Sequence, residues 1–373
     1  MGEIIDRKKP IPLHIQIKEY LKKKILSGEL KPLERIPSDD KFARSLGVSP
    51  TILEYALQEL VKEKLAFRIK GKGTFVSEKL ERIDIEKGKY IGFIAPILRD
   101  YMEAEIMSGL ESFISQRGYS LIYANSNGSY EKELIIIKRF IEQEVKGLVI
   151  YPSDEMCSRG NAPIRHFKEV NIPIVLVDRF LPGSFLDFVV SDNKNGAYSA
   201  VKYLIDQGHR NIAFITTNNL KTTSVRERLE GYKDALKENG IEVNEDYIFS
   251  KLPGYFDIFY EENVNLIKNF LKERKEISAI FTVNDRVASA VYRAIKELGL
   301  KVGKDISVVG FDNSPISLHL DPLLTSVHQE KSEMGRKAGE ILISKIENNI
   351  SDTYQVYLKT RLVIRDSVNK KSS

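Results

Sequence analysis

Several short apolar runs in this chain end in side chains that can make paired hydrogen bonds. Ile172-Pro173-Ile174-Val175-Leu176-Val177 leads into Asp178-Arg179, and Ile280-Phe281-Thr282-Val283 leads into Asn284-Asp285. Val308-Val309-Gly310-Phe311 leads into Asp312-Asn313, and Leu324-Thr325-Ser326-Val327-His328 into Gln329. Arg226-Glu227-Arg228 opens a further segment, Leu229-Glu230-Gly231-Tyr232. A hydroxyl is donor and acceptor at once, so carboxylates, amides and guanidinium groups together suit a polyhydroxyl ligand. Asp178 and Asp312 equally suit helix caps, the commoner role for an Asp after a strand.

A second group of residues has a different chemistry. Residues 1–80 hold 17 Lys/Arg against 11 Asp/Glu, whereas the rest of the chain holds 40 against 41. The whole excess of the +5 net charge therefore sits in the first fifth of the 373 residues. A basic module on a near-neutral body points to a polyanion partner, although a solvated charged surface has the same composition.

The elements that must carry these groups are legible in the periodicity. Residues 13–27 read as an amphipathic helix with Leu13, Ile17, Tyr20, Leu21 and Ile25 on one face. Gly28 suits the left-handed residue that ends it. Ser38 reads as the N-cap of a short helix with Phe42, Ala43 and Leu46 inward, stopped by Gly47. Ser49 caps the next, Pro50 fits its first turn, and Ile52, Leu53, Ala56, Leu57 and Leu60 form its core face. This is a helix-turn-helix pattern. Lys70-Gly71-Lys72-Gly73-Thr74-Phe75-Val76 then reads as a hairpin with a basic tip, a wing that suits a minor groove beside a helix in the major groove.

Residues 77–89 are charged and break the periodicity, which predicts a linker. Beyond it, strands are expected at 91–95, 120–124, 147–151, 173–177, 211–215, 278–282 and 306–310. Helices are expected at 102–117, 131–143, 194–207, 225–239, 258–273, 285–298 and 332–347. Strand–helix alternation predicts parallel sheets covered by helices, and the length predicts two lobes. Ligands in such folds lie beyond the carboxyl ends of the strands, where the paired donors and acceptors occur.

Two resemblances sharpen these readings. Pro12-Leu13, Gln16-Ile17, Ser27-Gly28, Ile36-Pro37-Ser38, Leu46-Gly47-Val48-Ser49, Thr51, Ala56-Leu57 and Gly71-Lys72-Gly73-Thr74-Phe75-Val76 make residues 1–76 resemble the winged helix-turn-helix of GntR-family regulators. The resemblance implies backbone contacts to DNA from Ser38, Thr51 and Gly73, with Ser49 at the start of the recognition helix. Lys41, Arg44, Lys70 and Lys72 are the charge-based candidates for phosphate or minor-groove contacts, and Tyr55 for a phosphate. Arginines usual in that family are replaced here by Asp40, Pro50 and Glu54. Glu54 suits a cytosine amine as well as a merely solvated position.

Residues 90–366 resemble the effector domain of LacI/GalR regulators and the periplasmic ribose-binding-type proteins. The motifs are Asp178-Arg179, Val190-Ser191-Asp192-Asn193 with Gly196, Gly208-His209-Arg210-Asn211-Ile212, Arg228 with Gly231-Tyr232, Asn284-Asp285, Val309-Gly310-Phe311-Asp312-Asn313, and Leu324-Thr325 with Gln329 and Met334-Gly335. The resemblance implies sugar contacts from Asp178, Arg179, Arg228, Asn284, Asp312 and Gln329, and from Asp100 and Tyr101 in the turn after the first strand. It gives His209 a structural role. The implied lobes are residues 90–191 with 330–353 and residues 192–329 with 354–366, followed by a tail over 367–373.

The fold class expected is therefore an N-terminal winged helix-turn-helix plus an α/β two-lobed periplasmic-binding-protein-like effector domain with parallel sheets. This order of parts resembles arabinose repressors of the AraR kind. It implies a cytoplasmic, homodimeric regulator whose partners are operator DNA and a pentose or hexose, L-arabinose among them. No apolar run is long enough to span a membrane, and the charged start lacks a secretory signal. The single cysteine, Cys157, excludes an intramolecular disulfide and a cysteine-based zinc site. No nucleotide fingerprint, metal-ligand spacing or nucleophile elbow occurs, so no cofactor and no enzymatic activity are expected. A sugar-binding transport or sensor protein is the alternative, but the basic module and the missing signal argue against it. A fused pyridoxal-phosphate enzyme is disfavoured by the sugar-binding motifs.

Overall fold

A computed structural model describes residues 11–38, 40–77, 89–97, 101–253, 261–348 and 352–371. The chain divides into two compact units, residues 1–88 and 89–373. Most of the expected linker, and Asp100, lie outside the described residues.

The first unit is three helices and a hairpin: α1 (Leu13–Leu26), α2 (Asp40–Ser45), α3 (Pro50–Lys62), β1 (Ala66–Ile69) and β2 (Gly73–Val76). Ile17, Leu21 and Ile25 recur every four residues and are buried against Leu53, Ala56, Leu57 and Leu60 of α3. The Ser49 hydroxyl accepts from the Ile52 N–H at 3.4 Å, and Pro50 follows in the first turn of α3. Gly47 ends α2 at φ 65°, and Lys70-Gly71-Lys72 form the exposed tip of the antiparallel pair β1–β2.

The second unit has two lobes, each a six-stranded sheet between helices. The first lobe begins with β3 (Tyr90–Ala95), α4 (Tyr101–Ser115), β4 (Ser120–Asn125), α5 (Tyr130–Glu142) and β5 (Gly147–Ile150). It continues through α6 (Asp154–Ser158), α7 (Ala162–Lys168), β6 (Ile174–Val177) and β7 (Asp187–Ser191). The second lobe holds α8 (Asn193–Asp206), β8 (Ile212–Thr217), α9 (Thr223–Glu238), β9 (Ile248–Leu252) and α10 (Glu261–Glu273). After these come β10 (Ala279–Thr282), α11 (Asp285–Glu297), β11 (Ser307–Asp312) and β12 (Thr325–His328). The chain then returns to the first lobe as α12 (Lys331–Asn348) and β13 (Gln355–Leu358), and crosses once more to β14 (Arg361–Val363).

The sheet orders are β13-β7-β6-β5-β3-β4 and β14-β12-β11-β10-β8-β9, all parallel except β14 against β12. Two expected boundaries need correction. β13 pairs in parallel with β7, so the first lobe runs to 358 rather than 353. Residues 367–371 are not a free tail. The Ser367 hydroxyl is buried and donates to the Val308 carbonyl at 2.6 Å, and Lys371 N–H donates to the Gln207 carbonyl at 2.8 Å. The hydroxyl and the N–H are both satisfied against the second lobe, which fixes the segment in place. α10 begins at Glu261, and 258–260 lie outside the described residues.

Motif glycines mark where helices meet. A Cβ on Gly335 of α12 would stand 1.8 Å from the Ile106 carbonyl of α4, and one on Gly109 of α4 would stand 1.9 Å from the Ser332 carbonyl. A Cβ on Gly231 of α9 would stand 2.1 Å from the Lys194 carbonyl of α8. Only glycine permits backbones this close.

Candidate functional site

The carboxyl ends of β6, β8, β10 and β11 converge on a narrow crevice between the lobes. Asp178, Arg179, Arg228, Asn284 and Asp312 line it, with Met102, Tyr151, Thr217, Ser224, Val225 and Val283. Its cavity volume of about 10 Å³ is about the room that one water molecule needs. A cavity of about 60 Å³ in the first lobe shares Tyr151 and Arg179 with it and adds Pro96, Ile97, Glu103, Gly128 and Asp154.

Each charged group is held by a defined partner. Asp178 has φ 63° and Asp312 φ 105°, left-handed conformations that a non-glycine residue keeps only under constraint. Neither caps a helix: β7 is the next element after Asp178, and Asn313-Ser314 separate Asp312 from the single 3₁₀ turn at Pro315. Arg179 reaches Asp154 at 2.9 Å and Asp178 at 3.4 Å, and donates to the Pro152 carbonyl at 3.0 Å. Burial opposes its charge, but Asp154, Tyr151 and Asp178 outweigh burial and hold its pKa well above the usual guanidinium value.

Arg228 projects from the second turn of α9. It donates to Asn193 Oδ1 at 2.9 Å and to the Val283 carbonyl at 2.7 Å, lies 3.6 Å from Asp312 and stacks 3.8 Å over the Phe311 ring. Asn284 Oδ1 accepts from the Val287 N–H at 2.9 Å, so this residue is both the N-cap of α11 and part of the wall. Asp285 beneath it is fully buried and fastens Ser326 at 2.6 Å and the Ser314 N–H at 2.7 Å. A Cβ on Gly310 would stand 2.3 Å from Asp285 Oδ1, which accounts for that glycine.

Two expected residues do not line the crevice. Gln329 stands behind it, buried, with Nε2 donating to Asp312 Oδ1 at 2.6 Å and Oε1 without a hydrogen-bond partner among the described residues. Tyr101 is the first residue of α4 and is 43% exposed, with the Lys331 ammonium 5.8 Å from its ring. His209 is structural, with Nδ1 3.0 Å from the Ser278 hydroxyl and Nε2 3.1 Å from the Asn369 carbonyl; burial lowers its pKa.

Other site residues were not singled out in the sequence. Asp154 of the first lobe accepts from Asn219 and Thr222 of the second, both at 2.6 Å. Thr222 sits at the N-cap position of α9 but gives its hydroxyl to this bridge instead of to the helix. The Thr223 hydroxyl meets the Phe180 backbone across the lobes at 3.1 and 3.2 Å, and Lys331 of α12 donates to the Asp312 carbonyl. Tyr151 and Thr217 follow or end apolar strands, the same signal that exposed Asp178 and Asn284.

In the first unit, Lys41, Arg44, Ser49, Thr51, Tyr55, Lys70 and Lys72 are exposed, and Ser38 and Gly73 are partly buried. The Arg35 guanidinium lies over Gly73, where a Cβ would stand 2.9 Å from its Nε at φ 116°. Glu54 is neither solvated alone nor open: Arg68 of β1 donates to its Oε1, and Gln58 does so at 3.4 Å.

A winged helix-turn-helix ahead of a two-lobed cleft domain defines a ligand-regulated transcription factor. Residues 13–76 match the bacterial regulatory proteins of the gntR family, and residues 201–368 match the periplasmic binding protein-like domain. The arabinose metabolism transcriptional repressor of Geobacillus stearothermophilus is 30% identical over 372 residues, 98% of this chain and 100% of that one. The ribose operon repressor of Haemophilus influenzae is 30% identical over 83% of this chain and 90% of its own. The crystal structure of the transcription regulator CcpA of Lactococcus lactis superposes with a TM-score of 0.67 at 29% identity, covering 75% of this chain and 99% of that one. The chain belongs to the family of transcriptional repressors that join a GntR-type helix-turn-helix to a periplasmic-binding-protein-like domain.

Proposed function

We propose that this protein is a sugar-responsive repressor of carbohydrate-utilisation genes and not an enzyme, acting in the cytoplasm as a homodimer on two operator half-sites. The observation that carries the reading is the ring of Asp178, Arg179, Arg228, Asn284 and Asp312 around a small crevice at the strand ends. In this reading Asp178 and Asp312 accept from sugar hydroxyls, Arg228 and Arg179 donate, and Gln329 Nε2 holds Asp312 in register. Asp100 and Tyr101 contribute further sugar contacts in this reading. Domain boundaries follow: DNA binding over 1–76, a linker over 77–89 and the effector domain from 90 onwards.

Charge balance narrows the ligand. Both guanidinium groups already face carboxylates, and the adjoining chamber adds Glu103 and Asp154. A phosphate there would meet four carboxylates and no uncommitted arginine. The effector is therefore an uncharged pentose or hexose, L-arabinose among the candidates. Binding tightens the lobes through the Asp154 bridge and shifts the dimer away from its DNA-binding arrangement. Thermal-shift screening against pentoses, hexoses and their phosphates tests this: a neutral sugar raises the melting temperature by mass action, and its phosphate does not. A phosphate that stabilises more than its parent sugar overturns the ligand class.

A further inference from the structure

The recognition helix α3 contains no arginine, and its one basic residue, Lys62, stands at its carboxyl end beside Glu59. Thr51, Glu54 and Gln58 recur at helical spacing and share one outer stripe. A bare carboxylate in that stripe would repel the phosphates around a groove. Arg68 is placed on it from outside the helix-turn-helix. It lies in β1, opposite Thr74 in the register of the hairpin, and its guanidinium crosses to Glu54. Arg68, Gln58, Lys62 and Thr74 line one groove between helix and wing.

We propose that Arg68 is the base-reading arginine of this DNA-binding domain, and that Glu54 is its positioning residue. A guanidinium has five N–H donors; among the described residues Arg68 commits one, to Glu54, and its side chain stays 55% exposed. The remaining donors form the planar fork that matches O6 and N7 of guanine in the major groove. Glu54 contributes in two ways. It fixes one edge of the guanidinium, which lowers the ordering cost of the contact, and its own charge is compensated by the same pair.

The inference rests on the DNA-binding reading, and the test separates the two. Full-length protein is used to select from a randomised duplex library, and the enriched site is then measured with Arg68→Ala, Arg68→Lys and Glu54→Gln, each checked for an unchanged melting temperature. Wild type is expected to enrich a site with a fixed guanine. Both Arg68 variants lose preference at that base by about tenfold or more, while Arg68→Lys retains the salt slope. Glu54→Gln weakens the same preference but binds random duplex more tightly, because a carboxylate near phosphate is gone. Preference that survives in Arg68→Ala overturns the proposal. So does a loss in Arg68→Ala that is uniform across sequences with a salt slope lower by about 0.9, the signature of a phosphate contact. A wild type that binds no duplex removes the DNA-binding reading itself, and this proposal with it.

Discussion

Arg228→Lys separates the charge of the ligand-facing guanidinium from its geometry. Arg228 is held by Asn193 Oδ1 at 2.9 Å, the Val283 carbonyl at 2.7 Å and the Phe311 ring at 3.8 Å. Lysine keeps the charge opposite Asp312 but offers a point charge without the planar fork. Loss of a hydrogen bond to a charged group costs about 1.5–3 kcal/mol, so the apo protein should melt about 3–12 °C lower. The pre-aimed donor to the sugar is lost as well, which weakens binding by about 10–150-fold. At a sugar concentration about 1,000 times the wild-type Kd, ligand stabilisation of about 4.1 kcal/mol falls to about 1.4 kcal/mol for a 100-fold weaker variant. Differential scanning fluorimetry with and without sugar reads both quantities, and apo DNA binding should persist. A variant that keeps the full wild-type melting shift with sugar would refute the role given to the guanidinium.

Other consequences are equally open to measurement. Glu133 is fully buried and accepts from Ser153 N–H at 2.9 Å and Oγ at 2.7 Å; burial pushes its pKa up to about 7. A carboxyl raised above its unfolded value binds more protons in the native state, so its contribution is full below about pH 4.5 and is lost as pH rises to about 7. Glu133→Gln should therefore flatten the fall in urea-unfolding stability between those values, and an unchanged slope would exclude Glu133 as its source. Gly335→Ala places a methyl 1.8 Å from the Ile106 carbonyl and should cost about 3 kcal/mol or more, read as a lower melting temperature. Wild-type melting would mean that α4 and α12 are not so closely packed. Alanine at Lys70 or Lys72 should weaken DNA binding evenly across sequences and lower the salt slope by about 0.9 for each phosphate contact removed. An unaltered slope would place the wing tip off the phosphates.

The sequence carried the architecture further than the site. Alternating apolar runs and helical stretches placed β3 to β6 with α4 and α5, though not the short α6 and α7, because a strand buried on both faces reads as a continuous Val/Ile/Leu run. β9, β13 and β14 escaped because they lie at sheet edges, where Ile248–Leu252 and Gln355–Leu358 alternate in burial and mix charge with apolar residues, and β7 escaped because Asp187 and Ser191 leave it an apolar run of only three residues. The third crossing between the lobes lies after Leu358 instead of 353 for the same reason. At the site, polar residues at strand ends were visible in the chain, and four of them, Asp178, Arg179, Asn284 and Asp312, line one crevice with Arg228 of α9. Asp154 was not visible, since its partners Asn219 and Thr222 are more than sixty residues away and only the closed lobes bring them together. Gln329 was identified by resemblance, yet it acts one layer behind the crevice, on Asp312. Nothing local to Glu54 announced Arg68, because their pairing depends on how the hairpin folds back over α3.

In the proposed function one free energy couples the crevice to the DNA-binding unit. The direct measurement is the Kd of full-length protein for its selected operator, with and without saturating sugar, together with the sugar Kd with and without operator. Coupling of about 1–3 kcal/mol predicts that sugar weakens operator binding by about 5–150-fold and that operator weakens sugar binding by the same factor. An operator Kd that does not change at saturating sugar would contradict the account.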